Sequence, residues 1–193
     1  ENFPISEATH ANIELLKSGK TYTITTGHQL NLFTGPAYFL YKIASTINLC
    51  KQLKYKYSDS NFVPVYWMAT EDHDFEEINH FNLKDKKIKW ESESSGPVGR
   101  LSTIGLDKTF EEFSEIIGLG SNAEYLKDLF KKSYLEHINL ADATRFLANE
   151  LFSEEGLVII DGDDRNLKTL FAPYIKDELL NRNSFTEVSK TIN

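Results

Sequence analysis

The fold class of this chain follows from residues 61–80, which read NFVPVYWMATEDHDFEEINH. The first nine, up to Ala69, are mostly apolar and rich in β-branched and aromatic side chains, which predicts a strand buried on both faces. Residues 71–80 then carry five carboxylates and two imidazoles. Open α/β sheets bind ligands just beyond the carboxyl ends of their strands. The stretch therefore predicts a parallel α/β sheet with a functional site directly after this strand.

Two further segments predict strands of the same sheet. Residues 21–25 (TYTIT) are a short β-branched run, and residues 157–161 (LVIID) are a second buried strand. A helix is predicted to begin at Pro36, because apolar side chains from Leu40 to Cys50 recur at three- and four-residue spacing. Strand, helix and strand make a βαβ unit, whose strands are parallel.

The middle of the chain predicts a different kind of structure. Short strands are expected at residues 88–90 and 98–102, followed by three helices. The segment is longer than an ordinary crossover between neighbouring strands. We therefore predict three parts, with residues 1–80 as the first part of the core, 81–155 as an inserted α+β subdomain and 156–193 as a truncated return to the core.

Composition and charge exclude several classes of protein. With 40% hydrophobic and 12% aromatic residues the chain can bury a sizeable core, so it is not a disordered segment. The net charge of −8 argues against a nucleic-acid partner. No apolar run reaches the length of a membrane span, so no membrane partner is expected.

The cysteine content and the chain ends give two further expectations. The single cysteine, Cys50, rules out an internal disulfide framework and fits a reducing cytoplasm, which is the predicted location. Because both ends lack a closing element, we expect the chain to be part of a longer protein.

A glycine-containing loop at residues 26–35 (TGHQLNLFTG) is the first candidate for ligand binding. Gly27 and Gly35 allow a ligand to approach the backbone closely, and the free N–H groups at the start of the following helix attract anions. Further polar groups come from His28, Gln29, Asn31 and Thr34. The spacing matches neither a Walker A loop nor the G-x-G-x-x-G fingerprint, so a merely structural strand-to-helix turn stays open as the alternative.

The acidic run is the second candidate. If a helix begins near Asp74, then Glu76 or Glu77 lies about one turn from His80, and His73 lies roughly on the same face. Carboxylate and imidazole at these spacings suit proton transfer, or the binding of a divalent metal.

The alternative is that the acids only stabilise the start of their own helix. That reading explains Asp72, Asp74 and Glu76, but not two histidines and Asn79. A third polar position, Asp161, ends the last predicted strand, where it faces a ligand or caps the following helix.

Three segments in order, residues 26–36, 65–80 and 154–161, resemble the bacillithiol synthase family BshC, and GPVGR at 96–100 is similar to a family feature. The resemblance implies a Rossmann-like core related to nucleotidylyltransferases, with inserted connecting-peptide segments such as 81–155. The family protein is longer, and a C-terminal coiled coil absent here makes it a homodimer.

The resemblance also implies a function. The family is a carbon–nitrogen ligase that joins the carboxyl group of cysteine to the amine of glucosaminyl-malate. Amide formation in water needs an activated carboxyl, for which ATP or ADP with magnesium is the candidate cofactor. Where many members have Gly-Gln-Gln, this chain has an imidazole at His28, similar to the histidine of the nucleotidyltransferase signature.

The expected site is assigned on this basis. The catalytic candidates are His73, Asp74 and His80, and no residue is assigned to a resident metal ion. The candidates for substrate or nucleotide binding are Gly27, His28, Gln29, Asn31, Thr34, Gly35, Asp72, Glu76, Asn79 and Asp161. Two other functions stay open: a metal-dependent hydrolase or deaminase using the cluster at 72–80, and a non-catalytic nucleotide or sugar-phosphate binding module.

Overall fold

The computed structural model describes residues 4–93 and 95–192. The chain divides into two compact units, the first ending at Asp161 and the second beginning at Gly162. Within the described ranges, no helix combines the length and the apolar character needed to cross a membrane.

The helices and strands of the first unit are α1 (Glu7–Leu15), β1 (Thr21–His28), α2 (Tyr38–Lys56), β2 (Asn61–Met68), α3 (Phe75–Ile78), β3 (His80–Leu83), β4 (Lys86–Lys89), α4 (Leu106–Ile117), α5 (Ser121–Phe130), α6 (Leu140–Phe152) and β5 (Val158–Asp161). A π-helical turn extends α5 from Lys131 to Leu135, and single 3₁₀ turns lie at Leu32–Thr34, Val98–Arg100 and Ser153–Glu155.

The main sheet has three parallel strands in the order β1-β2-β5. This confirms the three predicted strands and their direction. Strand β1 continues to His28, beyond the predicted end at residue 25, because its last residues pair in register with β2, His28 opposite Met68. Met68 also pairs with Asp161 of β5, so the carboxyl ends of all three strands are level at one edge.

Helices cover both faces of this sheet. On one face α2 packs its apolar side against β2, with the rings of Phe39 and Tyr66 5.4 Å apart. On the other face Leu15 of α1 packs on Val63 and Val65. Alternate residues of β2 thus enter two separate apolar layers, as expected for a strand buried on both sides.

Residues 81–155 share the larger of these layers. One continuous cluster joins Met68 and Tyr66 of the sheet to Trp90, Phe113 and Leu147 of the middle segment. These side chains are almost wholly removed from solvent. The α/β class is confirmed, and the division into a core and an inserted subdomain stays a prediction.

Two predicted elements differ in the structure. Residues 98–102, predicted as a strand, form a 3₁₀ turn at Val98–Arg100, and only Ser102 makes an isolated bridge, to Asn139. Pro97 lacks an N–H group, and the N–H groups of the next two residues bond to the loop after β2 instead of to a strand. The strand predicted at 88–90 is β4, paired antiparallel with β3.

The second unit consists of α7 (Arg165–Asn181) and α8 (Asn183–Ile192). Asp164 caps α7, accepting a hydrogen bond from the N–H of Leu167 at 2.9 Å. Between the two helices Arg182 adopts a left-handed conformation with φ of 51°.

Candidate functional site

The level strand ends place the glycine-containing loop beside the acidic run, as the sequence predicts. Between them lies an open cleft of about 850 Å³. Its described lining residues are His28, Gln29, Asn31, Gly35, Pro36, Ala37, Tyr38, Glu76, Glu77, His80, Phe81 and Asn82. Six of the predicted site residues therefore meet in one cavity: His28, Gln29, Asn31, Gly35, Glu76 and His80.

The loop after β1 ends, just before α2, in three consecutive residues with positive φ. Phe33, Thr34 and Gly35 have φ values of 45°, 69° and 51°. For the two non-glycine residues this conformation is strained and persists only where the surroundings enforce it. At Gly35 a side chain is excluded, because an added Cβ would lie 2.6 Å from Cβ of Asn31.

Phe33 supplies the constraint that holds this loop. Its ring lies 5.5, 5.1 and 5.2 Å from the rings of Phe81, Phe113 and Phe130, all from the middle segment. Its N–H donates to the hydroxyl of Tyr134 at 2.9 Å. Phe33 was not among the predicted site residues, although a large apolar residue between polar loop positions indicates burial.

Gln29 cross-links the two walls of the cleft. Its Nε2 donates to Oδ2 of Asp72 at 2.8 Å and to Oε2 of Glu77 at 2.7 Å. The hydrogen bond from Gln29 is the largest influence and lowers the pKa of Asp72. Burial opposes it more weakly, and the backbone N–H groups of the next two residues lower the pKa by smaller amounts. Asp72 is therefore an ionised support at the rim.

Two imidazoles in the cleft, those of His28 and His80, have pKa values below the ordinary value of histidine. Burial lowers the pKa of His28. Burial, followed by the cations of Lys87 and Lys89, lowers the pKa of His80. Both rings are therefore largely neutral near pH 7, the state in which an imidazole can accept a proton.

Hydrogen bonds fix the tautomer of each ring. Nδ1 of His28 lies 3.0 Å from the carbonyl oxygen of Gln29, and Nδ1 of His80 lies 3.2 Å from Oδ1 of Asn79. A carbonyl oxygen accepts only, so Nδ1 of His28 carries the hydrogen and donates it. With the amide of Asn79 oriented so that Oδ1 faces the ring, Nδ1 of His80 donates as well. Nε2 of each ring is then the basic nitrogen.

Two buried side-chain amides retain unused hydrogen-bonding capacity. Asn31 is 5% exposed and Asn79 is 1% exposed. Nδ2 of Asn31 donates to the backbone oxygen of Glu77 at 3.3 Å. Oδ1 of Asn31 and Nδ2 of Asn79 make no hydrogen bond of standard geometry, although they face His28 and Glu76 respectively. Buried polar atoms are stabilised by hydrogen bonds of good geometry, so both amides have capacity for a further polar partner.

The start of α2 forms one wall of the cleft. No side chain caps this helix, and its first turn contains no acidic residue. Pro36, Ala37 and Tyr38 at its start line the cavity. The helix dipole and the N–H groups of the first turn favour an anionic group there.

The remaining predicted residues lie outside the described lining. The side chain of His73 is 88% exposed, and Asp74 accepts the N–H of Glu77 at 3.3 Å as the cap of α3. Asp161 accepts a hydrogen bond from the hydroxyl of Thr70 and pairs with Arg145 at 3.4 Å. Asp161 thus joins the ends of two strands.

Three other predicted residues are outside the described lining and adjoin residues that belong to it. Thr34 lies within the strained loop, and Asn79 orients the ring of His80. Gly27 pairs with Trp67 in the sheet, and its carbonyl oxygen accepts from Nζ of Lys42 at 3.1 Å. A Cβ at Gly27 would make only an ordinary contact, at 3.9 Å.

The helix predicted in the acidic run is much shorter than expected. It ends at Ile78, and His80 already belongs to β3. The expectation that His73 and His80 share one helical face is therefore wrong. His80 enters the cleft because the N–H of Trp90 bonds to the carbonyl oxygen of Asn79 at 2.7 Å, next to the β3–β4 pairing.

The described residues contain no group of three or more His, Cys, Asp or Glu side chains placed to hold a metal ion. The described residues therefore offer no set of metal ligands for the hydrolase hypothesis at 72–80. Cys50 is a buried free thiol, and burial raises its pKa to about 11, so it is not an activated nucleophile.

Several lining residues were not predicted. Tyr38, Phe81 and Asn82 border the cleft, and Tyr38 is 70% exposed at the start of α2. Tyr38 could have been predicted, because an aromatic residue in the first helical turn after a glycine-containing loop is well placed to line a binding site. Phe81 and Asn82 reach the cleft only because the chain turns into β3 after α3.

Comparison with known proteins adds an independent finding. Residues 1–193 match the family model for bacillithiol biosynthesis BshC, N-terminal Rossmann-like domain. A relative from Flavobacterium psychrophilum, named "Putative cysteine ligase BshC", is 66% identical over 99% of this chain and 36% of its own length. Relatives of the same name from Cytophaga hutchinsonii and Staphylococcus carnosus are 44% and 33% identical, over 99% and 91% of this chain. They are matched over 35% and 34% of their own lengths.

The chain thus spans about a third of the length of the curated relatives it matches. The family model also confirms the predicted Rossmann-like class of the parallel sheet.

Proposed function

Because this chain belongs to the BshC family of bacillithiol biosynthesis, whose N-terminal Rossmann-like domain it matches, we propose that it forms part of the active site of a cysteine ligase. The reaction proposed for the full-length protein joins the carboxyl group of cysteine to the amine of glucosaminyl-malate. The names of the relatives support the ligase class, and the choice of the amine substrate rests on the family resemblance.

One observation carries the proposal. The cleft at the strand ends combines an uncapped helix start, two neutral imidazoles and a carboxylate wall in one cavity of about 850 Å³. The helix start suits an anionic group. The carboxylate of Glu77 suits a cationic amine or hydroxyl groups, and that of Glu76, which pairs with Lys89 at 3.1 Å, suits hydroxyl groups. A ligase acting on small polar substrates needs groups of both kinds.

The proposed chemistry assigns one proton transfer to this chain. The substrate amine attacks the activated carbonyl carbon of cysteine, a C–N bond forms, and the C–O bond to the leaving group breaks. His80 accepts the proton released by the amine at Nε2, the nitrogen left basic by the hydrogen bond to Asn79. His73 and Asp74, predicted as catalytic, stay candidates at the rim.

The start of α2 is the proposed place for the anionic part of a nucleotide or of malate. The residues fit such a group, because the first turn has neither a capping side chain nor an acidic residue. A bound ATP with magnesium would supply the activation of the cysteine carboxyl. The backbone N–H groups that would hold the anion are those of Ala37 and Tyr38, because Pro36 has no N–H and the N–H of Gly35 already donates to the carbonyl oxygen of Leu32.

The other proposed properties concern the whole protein. We propose a cytoplasmic homodimer that binds small molecules, with the dimer contact supplied by residues beyond this chain. A reducing compartment is supported by the buried free thiol of Cys50.

A turnover assay on the full-length protein tests this function. The protein receives glucosaminyl-malate and cysteine, with and without ATP and magnesium, and mass spectrometry detects the joined thiol. We expect product, and dependence on ATP would identify how the carboxyl is activated.

Absence of product from folded protein under both conditions would contradict the ligase proposal. Thermal stabilisation by nucleotide or sugar phosphate in that case would support the binding-module alternative.

A further inference from the structure

The motif at residues 96–100 (GPVGR) lies outside the described lining of the cleft, yet it contacts the acidic run directly. Its 3₁₀ turn at Val98–Arg100 is buried at its first two positions. The N–H of Val98 donates to the carbonyl oxygen of Asp72 at 2.7 Å, and the N–H of Gly99 donates to that of Thr70 at 3.0 Å. The turn therefore binds the backbone on which the acidic run begins.

The approach of the two segments requires a glycine. A Cβ added at Gly99 would lie 2.6 Å from Cβ and 2.9 Å from Cγ2 of Thr70, and 3.1 Å from its carbonyl oxygen. Gly99 is not among the residues with positive φ, so the requirement is for space and not for a special backbone conformation.

Thr70 has little freedom to move away from such a side chain. It is 1% exposed, and its hydroxyl donates to Oδ1 of Asp161 at the end of β5. Arg145 of α6 holds the other carboxylate oxygen of Asp161 at 3.4 Å. A clash at Gly99 would therefore be transmitted along the chain towards Asp72.

Asp72 in turn connects this contact to the cleft. Its Oδ2 accepts the hydrogen bond from Gln29, which also binds Glu77. A displacement of residues 70–72 would break or lengthen that bond and shift the acidic wall relative to the glycine-containing loop.

We propose that Gly99 is a positioning residue for the ligase reaction: with Val98 it clamps the backbone of residues 70–72, and through Asp72 and Gln29 it holds the two walls of the cleft in register. This inference rests on the proposed function. Gly99 itself touches no substrate in this scheme, and it acts through Thr70 and Asp72.

The test compares Gly99→Ala with Gly19→Ala in the full-length protein. Gly19 is exposed, has no atom within 4 Å of an added Cβ, and is not among the residues with positive φ, so the same methyl group is harmless there. A misplacement of about 1 Å can cost roughly a hundredfold in rate. We expect kcat of Gly99→Ala to fall by about that factor, while Gly19→Ala keeps the wild-type value.

Hydrogen–deuterium exchange on the same proteins gives a readout that is independent of turnover. Amides in a peptide covering residues 70–79 should exchange faster in Gly99→Ala, with protection of β1 and α2 retained. If Gly99→Ala does not fold, Val98→Pro removes the donor to the carbonyl oxygen of Asp72 without adding a Cβ at Gly99, and the same two measurements apply.

The outcomes separate this inference from the proposed function. An active wild type whose folded Gly99→Ala or Val98→Pro variant keeps full kcat would overturn the positioning role. A wild type without ligase activity would refute the proposed function. Hydrogen–deuterium exchange at residues 70–79 would then test only whether Val98 and Gly99 hold the backbone of residues 70–72. Unchanged exchange in the variant would overturn that role, and faster exchange would support it.

Discussion

At the scale of single residues, His80 illustrates how the surroundings of a side chain set its protonation state and tautomer. Partial burial and two nearby cations, Lys87 and Lys89, oppose its protonation. Asn79 fixes which ring nitrogen carries the hydrogen. The sequence predicts a histidine near this site, but not its protonation state. The two lysines belong to β4 and approach His80 only because β4 pairs with β3, which local spacing does not reveal.

The pH dependence of turnover should report this environment. The lowered pKa lies below the ordinary value of 6.5, and a base must be neutral to act. We therefore expect kcat of the full-length protein to be maximal above that pKa and to fall as pH decreases through it. The pH–rate profile of wild type and of His80→Gln is the measurement.

In His80→Gln the acidic limb assigned to His80 should disappear and kcat should fall by about 10²–10⁴-fold, the usual contribution of a general base. A limb of the same pKa in this variant would assign it to another group, with His28 as the next candidate.

At the scale of elements, α3 shows both the reach and the limit of sequence patterns. An acidic residue at its start predicts a helix cap, and Asp74 is that cap. The length of the helix was not predictable from the run of residues 75–80. The hydrogen bond from the N–H of Trp90 to the carbonyl oxygen of Asn79, next to the β3–β4 pairing, directs the chain into β3. Because Trp90 lies eleven positions after Asn79, residues 75–80 alone do not indicate this bond.

Asp74 has a structural role and a proposed catalytic one, and Asp74→Asn separates them. Asparagine caps helices about as well as aspartate, whereas Asp74→Ala should cost about 1 kcal/mol of stability. If the carboxylate is catalytic, as we propose, Asp74→Asn keeps the thermal unfolding midpoint and loses turnover.

Thermal unfolding and the turnover assay on both variants are the measurements. Full activity in Asp74→Asn would show that Asp74 only caps α3 and is not catalytic.

At the scale of the whole molecule, the parallel sheet and the convergence of its strand ends were predictable, because buried strands and helices have local signatures. The packing of residues 81–155 onto the glycine-containing loop was not. Phe33 meets Phe113 and Phe130 across long sequence separations, and no local pattern specifies which aromatic side chains pair. The left-handed conformation of Phe33 depends on those partners in the same way.

Phe33→Ala should loosen the loop and the middle segment together. The side chain is partly buried, so we expect a loss of about 2 kcal/mol, below the 3–5 kcal/mol typical of fully buried phenylalanine. Hydrogen–deuterium exchange of the full-length protein should show faster exchange at residues 27–35 and in α5. Leu119→Ala, which removes a 93% exposed side chain, is the control and should change neither region.

Faster exchange in the loop alone would indicate that residues 81–155 form a separate subdomain, as first predicted from the sequence.

The hydrogen bond between Phe33 and Tyr134 also has a consequence for biosynthesis. Its two partners are 101 residues apart in the chain. At a synthesis rate of about 5–20 residues per second, the loop waits roughly 5–20 s on the ribosome before its partner is made. During that interval β1 and α2 can form while Phe33 stays exposed to solvent and to chaperones. The cleft is thus completed late in the synthesis of this segment, after its earliest strand has already left the ribosome.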